Sequence, residues 1–298
     1  MKITVFTPTF NRGYIIEQLY KSLRQQTNSN FEWLIVDDGS TDNTEELVRC
    51  WKKQNNHFEI NYYKKCNGGK PRAINYGMQK AKGKYFFIVD SDDILLPNAI
   101  EKMFKWCEEI NDEQDFIGVG AARGHKDGTY IKGIAPTTNK EGYVDCTNLD
   151  RKKYNLDADM CEAYKVDILK QFPMAEWEGE KFAPEQIGFN EAALAGYKIR
   201  WHKDIIYVCE YLDDGLTKGS WELEKKNPMG YSMMYNHMLK YPDLTKKQKL
   251  NAACQHIALA LVGGNPQYIF KSYNWRYTIA GLPIGIVLAI RRRIQFSR

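Results

Sequence analysis

The sequence predicts an α/β fold built on a parallel, doubly wound sheet, and three observations carry that reading. Strand and helix patterns alternate through the first 110 residues. One strand, Phe31–Val36, is apolar along nearly its whole length, as a strand covered on both faces must be. Acidic clusters stand just past two of the strands, where ligands bind on such sheets.

Taken in order, Ile3–Thr7 reads as the first strand, and residues 13–26 put Ile16, Leu19, Tyr20 and Leu23 at helical spacing. After the strand Phe31–Val36, the segment Thr41–Glu46 combines an N-cap residue type with first-turn acids and opens a helix through about Gln54. Phe58–Tyr63 is the third strand, residues 71–82 the third helix, ended at Gly83, and Tyr85–Val89 the fourth strand. Pro97 is tolerated in a first turn and opens a helix through about Ile110, with Ile100, Met103, Phe104 and Cys107 on its apolar face. Beyond residue 110 the pattern changes. Residues 115–122 and 129–134 read as strands joined by a turn at Lys126-Asp127-Gly128, and residues 137–180 as irregular. A helix at 185–195, strands at 198–210 and a mainly helical last 80 residues follow.

At 298 residues and 43% hydrophobic, the chain can bury a full-sized core. Its 19 Tyr, 13 Phe and 7 Trp suit a core and also the stacking surfaces that sugars and bases favour. The net charge is +5, with Arg291, Arg292, Arg293 and Arg298 in the last eight residues, so the rest is near neutral. That argues against nucleic acid as a partner, because such proteins spread basic residues over a face of the fold. The seven cysteines show no Cys-x-x-Cys pair and an odd count, which predicts neither a thiolate metal site nor a disulfide framework. Reduced cysteines and a strand pattern directly after Met1, with no signal peptide, lead to the expectation of a cytoplasmic protein.

The chemistry lies in Asp37-Asp38 and in Asp90-Ser91-Asp92-Asp93, at the ends of the second and fourth strands. Carboxylates two apart in an extended segment point the same way and can share a hard cation, and Asp90 and Asp92 meet that condition. A single acidic turn means little. Two on one sheet, with Gly68-Gly69-Lys70 between them, point to a site.

The four segments Thr7-Pro-Thr-Phe-Asn-Arg12, Val36-Asp-Asp-Gly-Ser-Thr-Asp42, Asn67-Gly-Gly-Lys-Pro-Arg-Ala-Ile-Asn75 and Asp90-Ser-Asp-Asp93 resemble, in order and spacing, the successive motifs of family 2 glycosyltransferases. The resemblance implies the GT-A fold, a Rossmann-like mixed sheet flanked by helices, here with a helical C-terminal extension. It divides the chain into a catalytic domain, 1–218 (nucleotide-binding half 1–110, acceptor half 111–218), and an extension, 219–298. It implies that Pro8 and Thr9 border the base pocket, with Asn11 and Arg12 near the ribose or phosphates. It likewise implies that Asp38 accepts from a uracil N–H and that Lys70 or Arg72 lies near the ribose or diphosphate. Asp90 would touch the ribose or the metal, and Asp92 would ligate a Mn²⁺ or Mg²⁺ ion on the diphosphate.

For the acceptor side, the family places an acid about 14 residues before a Gly-Tyr-Lys-like turn. Glu185 occupies that position ahead of Ala195-Gly-Tyr-Lys198, with Pro184 in place of the usual preceding acid. The implied role is general base in an inverting single displacement. Glu185 also suits a helix start simply as an acid favoured by the macrodipole. Glu178 and Glu180 are runners-up for the base, or ligands for acceptor hydroxyls, and Trp177 is either a sugar-stacking ring or a core tryptophan. Asp213 or Asp214 stands where the family often has a histidine near the diphosphate; Asp214 is a candidate metal or acceptor contact, and equally part of a plain Asp-Asp-Gly turn.

Together these readings lead to an enzyme that uses a nucleoside diphosphate sugar, most simply a UDP-sugar, and a saccharide or lipid-linked saccharide acceptor, as in cell-surface polysaccharide synthesis. A nucleotidyltransferase of related architecture would show a glycine-rich basic loop after the first strand, where Thr-Pro-Thr-Phe-Asn-Arg stands instead. A non-catalytic relative would have lost Asp90, Asp92 or the helix-start acid, and all three positions keep carboxylates.

Residues 278–290 form an uncharged apolar run, short of the roughly 20 residues that span a bilayer. Trp275, Arg276 and Tyr277 on one side and Arg291–Arg293 on the other suit an interfacial anchor through 275–298, on the inner face of the cytoplasmic membrane. The alternative is a terminal helix docked on the catalytic domain or on a second subunit in a homodimer.

Overall fold

The computed structural model of the chain describes residues 2–209 and 220–296. They form two compact units: residues 2–173 with 190–209, and residues 174–189 with 220–296. The sequence reading put a boundary near residue 218. By packing, residues 174–189 go instead with the C-terminal helices.

The first unit holds strands β1 (Ile3–Thr9), β2 (Phe31–Asp37), β3 (Glu59–Lys64), β4 (Tyr85–Ile88), β5 (Ile94–Leu95), β6 (Phe116–Gly124), β7 (Tyr143–Cys146), β8 (Met160–Lys165) and β9 (Lys198–Val208). Its helices are α1 (Glu17–Arg24), α2 (Thr44–Lys52), α3 (Lys70–Lys80), α4 (Ala99–Glu109) and α5 (Val166–Leu169); the chain passes from one unit to the other within α6 (Gln186–Leu194). The sheet order is β3-β2-β1-β4-β8-β6-β9-β5, with β7 paired to β9.

β1 runs parallel to β2 and β4, and β2 parallel to β3. The predicted parallel sheet therefore exists over four strands. It does not continue. β8 enters antiparallel between β4 and β6, and makes the whole sheet mixed. Residues 160–165, read as irregular, are thus a central strand: Cys161, Ala163 and Tyr164 are buried, while Glu162 and Lys165 broke the apolar pattern. Gly118 lets β8 close in, since a Cβ there would lie 2.3 Å from the Ala163 carbonyl oxygen. The predicted turn at Lys126–Gly128 forms, with Gly128 at φ +83°, but residues 129–134 are not a strand and contribute one isolated bridge, Tyr130 to Gly124.

The second unit contains α7 (Ser220–Lys226), α8 (Pro228–Met238), α9 (Lys246–Val262) and α10 (Trp275–Phe296). A capping box, Thr245 with Gln248, starts α9. The apolar run 278–290 lies inside the 22-residue α10, whose buried face is Thr278, Gly281, Gly285 and Ala289. Small residues let this helix approach α9 closely: a Cβ on Gly285 would stand 2.7 Å from Ile257. Among the described residues no helix is long and apolar enough to cross a membrane. All seven cysteines are unpaired.

Three histidines, His202, His237 and His256, are buried in these cores. His202 stacks on Trp106 at 4.0 Å, and burial depresses its pKa to about 3. The fully buried His256 has Nδ1 2.9 Å from Ser232 Oγ, and burial lowers its pKa to about 4. Because the folded values of His202 and His256 lie below the unfolded value near 6.5, the unfolded chain binds the extra protons as pH falls. Stability should decline from about pH 6.5 toward pH 5, by about 1.4 kcal/mol per pH unit for each histidine at the steepest. Melting temperature against pH tests this. His202→Phe should flatten the slope, and a melting temperature level between pH 7 and 5 would contradict it.

Candidate active site

The loops after β1, β2, β3 and β4 meet at the carboxyl ends of the parallel strands. The β1 loop is tied to the β2 loop through Asn11, whose backbone is left-handed at φ +52°. Its N–H donates to Ser40 Oγ at 2.8 Å and its Oδ1 accepts from the Thr41 N–H at 2.8 Å. The Gly13 N–H donates to Asp42, and the Ser40 N–H to the buried Asp37. Arg12 donates to the Tyr14 hydroxyl at 2.6 Å. Pro8 is half-buried in register with Val36, and Thr9 is buried with no partner for its Oγ1 among the described residues. Asn11 and Arg12 thus lie in one clasped pair of loops with the predicted base-pocket residues.

Asp38 is almost fully buried, and its carboxylate accepts from Lys65 Nζ, Asn67 Nδ2 and the N–H groups of Gly68 and Gly69. Four donors match the acceptor capacity of a carboxylate. In this arrangement Asp38 clamps the loop leading into α3, and a uracil N–H would have to displace one of the four. Gly69 at φ +94° turns the chain directly into α3, where Lys70 is the first residue. Arg72 bends back to the Gly68 carbonyl at 2.7 Å.

Lys70 reaches Asp90 Oδ1 at 2.8 Å. On the other side of Asp90, Arg123 of β6 lies 3.5 Å from Asp90 Oδ2 and 3.5 Å from Asp93 Oδ2. The Arg123 guanidinium stacks 4.3 Å from the Tyr207 ring and donates to the Met160 carbonyl. The Tyr207 hydroxyl donates to Asp93 at 2.6 Å and accepts the Asp90 N–H at 2.9 Å. Burial pushes the Asp90 pKa up, but Lys70 and Arg123 outweigh it and hold the carboxyl below its usual range. Burial and the neighbouring Asp90 charge raise Asp92 and Asp93. The turn therefore holds one firmly ionised carboxylate and two that lack full compensation.

Among the described residues, no group of three or more His, Cys, Asp or Glu converges as a metal site. The carboxylates of this turn are the candidate ligands among the described residues. Such a set fits a hard cation that keeps waters and takes substrate phosphate oxygens for its remaining positions.

Sequence reasoning missed Lys65, Arg123 and Tyr207. Arg123 and Tyr207 sit on strands far along the chain, where nothing marks them until the sheet brings them to Asp90. In the second unit, Glu185 immediately precedes α6 and is half-buried. Glu180 is a helix cap, accepting the Met229 and Gly230 N–H groups of α8 at 2.8 Å each. Both of its carboxylate oxygens are engaged in this way. Trp177 packs edge-on against Tyr268 at 5.0 Å, and Glu178 is exposed. Asp214 lies outside the described residues.

The profile described as "Glycosyl transferase family 2" matches residues 4–172, more than half of the chain. The chain belongs to that family. Among curated relatives, the glycosyltransferase GlyG of Streptococcus pneumoniae is 37% identical over 107 residues, which is 36% of this chain and 35% of that protein. The poly(ribitol-phosphate) beta-N-acetylglucosaminyltransferase TarP of Staphylococcus aureus is 33% identical over 114 residues, 38% of this chain and 35% of that protein. The chain thus spans about a third of the length of these two relatives. Among solved structures, S. aureus TarS 1-349 in complex with UDP-GlcNAc superposes with a TM-score of 0.63 at 19% identity, covering 97% of this chain and 82% of that one. The mannosyltransferase PcManGT of Pyrobaculum calidifontis, in complex with GDP-Man and Mn²⁺, gives 0.58 at 16% identity, covering 99% and 83%. Likeness at that identity is a likeness of fold, and this family member has the GT-A arrangement of a mixed sheet flanked by helices.

Arg123 anchors the acidic turn, so Arg123→Met should destabilise the protein by about 3 kcal/mol, because it leaves the buried Asp93 without a cation and the half-buried Asp90 with Lys70 alone. Arg123→Lys should recover part of that loss, keeping the charge but not the flat stack on Tyr207. Denaturant unfolding of the three proteins checks the order, and an unaffected Met variant would show that the cluster does not hold the turn.

Proposed function

We propose that the protein is an inverting, cation-assisted glycosyltransferase that takes its sugar from a UDP-sugar and delivers it to a saccharide or lipid-linked saccharide acceptor. The observation that carries this reading is the Asp90–Asp93 turn, bracketed by Lys70 and Arg123 at the carboxyl ends of the parallel strands. Family membership supports the transferase chemistry, and a structural neighbour bound to UDP-GlcNAc supports the choice of a uridine nucleotide.

In this reading Pro8 and Thr9 border the base, and the unpartnered Thr9 Oγ1 is available to it. Asn11 and Arg12 lie toward the ribose and phosphates. Asp38 holds the Asn67–Gly69 turn in place, and engages the base only if a present donor yields. Lys70 and Arg72 offset the negative charge that grows on the departing diphosphate. Asp92, with Asp90, would hold a Mn²⁺ or Mg²⁺ ion, as a neighbour's complex with Mn²⁺ supports. Such an ion, when bound, stabilises the leaving group's charge without a proton transfer. Glu185 is assigned as the base that removes the acceptor hydroxyl proton, an assignment resting on its place in the sequence. Inversion is what the resemblance to family 2 glycosyltransferases implies. We place the protein in the cytoplasm, peripheral to the membrane, and in the assembly of a surface polysaccharide.

Thermal shift with UDP and Mn²⁺ should show stabilisation that GDP and TDP do not match; no shift with any of the three would reject the donor site. Asp92→Ala should weaken UDP binding in Mn²⁺ by about 10–100-fold, and unchanged affinity would reject the ligand assignment. Glu185→Gln should keep UDP affinity while transfer falls by about 10²–10⁴-fold. Retained turnover would move the base to Glu178 or Glu180.

A further inference from the structure

The C-terminal helices carry a surface that donor chemistry does not use. α10 turns its small residues inward, and that leaves a stripe of large aliphatic side chains outside. Ile279, Ile286, Val287, Ile290 and Ile294 are between 46% and 64% exposed, at the three- and four-residue spacing of one helix face. Val287, Ile290 and Ile294 line a shallow groove with Arg291 and Gln295. Three exposed aromatic residues, Phe270, Tyr273 and Trp275, stand at the amino end of the stripe.

Arginines frame it. Arg276 follows Trp275 and Arg291 lies one turn beyond Val287, while Arg293 donates to the Leu261 carbonyl of α9 at 2.6 Å. Arg292 points the other way, inward, to Glu224 at 3.2 Å. Along the chain, the C-terminal stretch that carries the stripe has one sign, although Glu224 of α7 stands beside Arg292. Residues 244–298 contain nine Lys and Arg and no Asp or Glu, whereas residues 1–243 contain 33 basic and 37 acidic side chains.

A second copy of the chain on this stripe would set one acid-free, basic segment against another, and like charges oppose that contact. An anionic lipid surface presents the complement. Its acyl boundary takes the aliphatic stripe, its headgroup level suits Trp and Tyr, and its phosphates pair with the flanking arginines. We infer that α10 lies in the plane of an anionic membrane, its Ile279–Ile294 face sunk below the phosphates and Arg276 and Arg291 at their level. The inference rests on the peripheral-attachment part of the proposed function and not on its donor chemistry.

Co-sedimentation of the full chain with vesicles tests it, using phosphatidylcholine alone and phosphatidylcholine mixed with phosphatidylglycerol. Binding should require phosphatidylglycerol and weaken with salt. Val287→Asp with Ile290→Asp should reduce it by about tenfold or more. Arg276→Gln with Arg291→Gln should reduce it by about fivefold per arginine, each being worth about 1 kcal/mol near such a surface. Both variants should keep the parent melting temperature and the parent rate of UDP-sugar hydrolysis. No binding to the anionic vesicles, or binding that both variants retain, overturns the inference. So does a dimer in solution that the aspartate variant dissolves, since it would assign the stripe to a second copy. Failed attachment with hydrolysis intact leaves the enzymatic reading standing, and lost hydrolysis with attachment intact does the reverse.

Discussion

The acidic turn after β4 depends on buried charge compensation. Asp90 can stay ionised inside the protein only because Lys70 and Arg123 flank it, and Asp93 is held by Arg123 and Tyr207. Those partners come from α3, β6 and β9, so one electrostatic requirement joins the parallel half of the sheet to its mixed half. Removing a member leaves charge without compensation in a poorly solvated place, where the cost is greatest.

A second buried acid does comparable work at the opposite ends of the strands. Glu32 accepts from Thr4, Asn61 and the Lys82 N–H, and so links β1, β2, β3 and the segment before β4. Asp38 repeats the device at the carboxyl ends with four donors. Both carboxylates are satisfied by hydrogen bonds, the condition for a polar group to sit inside a core without a large penalty. The result is a rigid base for the site loops, which suits chemistry whose main demand is to hold donors against growing phosphate charge.

The helical unit follows a different rule. Contact between α9 and α10 uses small residues, Gly281, Gly285 and Ala289, so the large side chains of α10 face outward. A helix in water would ordinarily show the reverse arrangement. That inversion, together with the acid-free stretch from residue 244, sets this region apart from the catalytic unit.

Period and turn chemistry in the sequence determined the four parallel strands, their helices, and the place of Asp37-Asp38 and Asp90–Asp93 at the strand ends. These are local properties. A strand covered on both faces is apolar throughout, and a glycine or proline marks where a helix stops or begins. The motif order was legible for the same reason, because its residues lie close together along 100 positions. Tertiary structure alone decided the rest. β8 could not be read, because Glu162 and Lys165 interrupt its pattern and only pairing with β4 and β6 makes it a strand. Arg123 and Tyr207 could not be assigned, because their partners are 30 to 117 residues away. Glu180 reads in sequence as a candidate base and in space as the cap of α8, since only the fold shows which N–H groups a carboxylate meets. The apolar run near the C-terminus was visible from the start, but only the packing of Gly281 and Gly285 on α9 determined which of its faces is left outside.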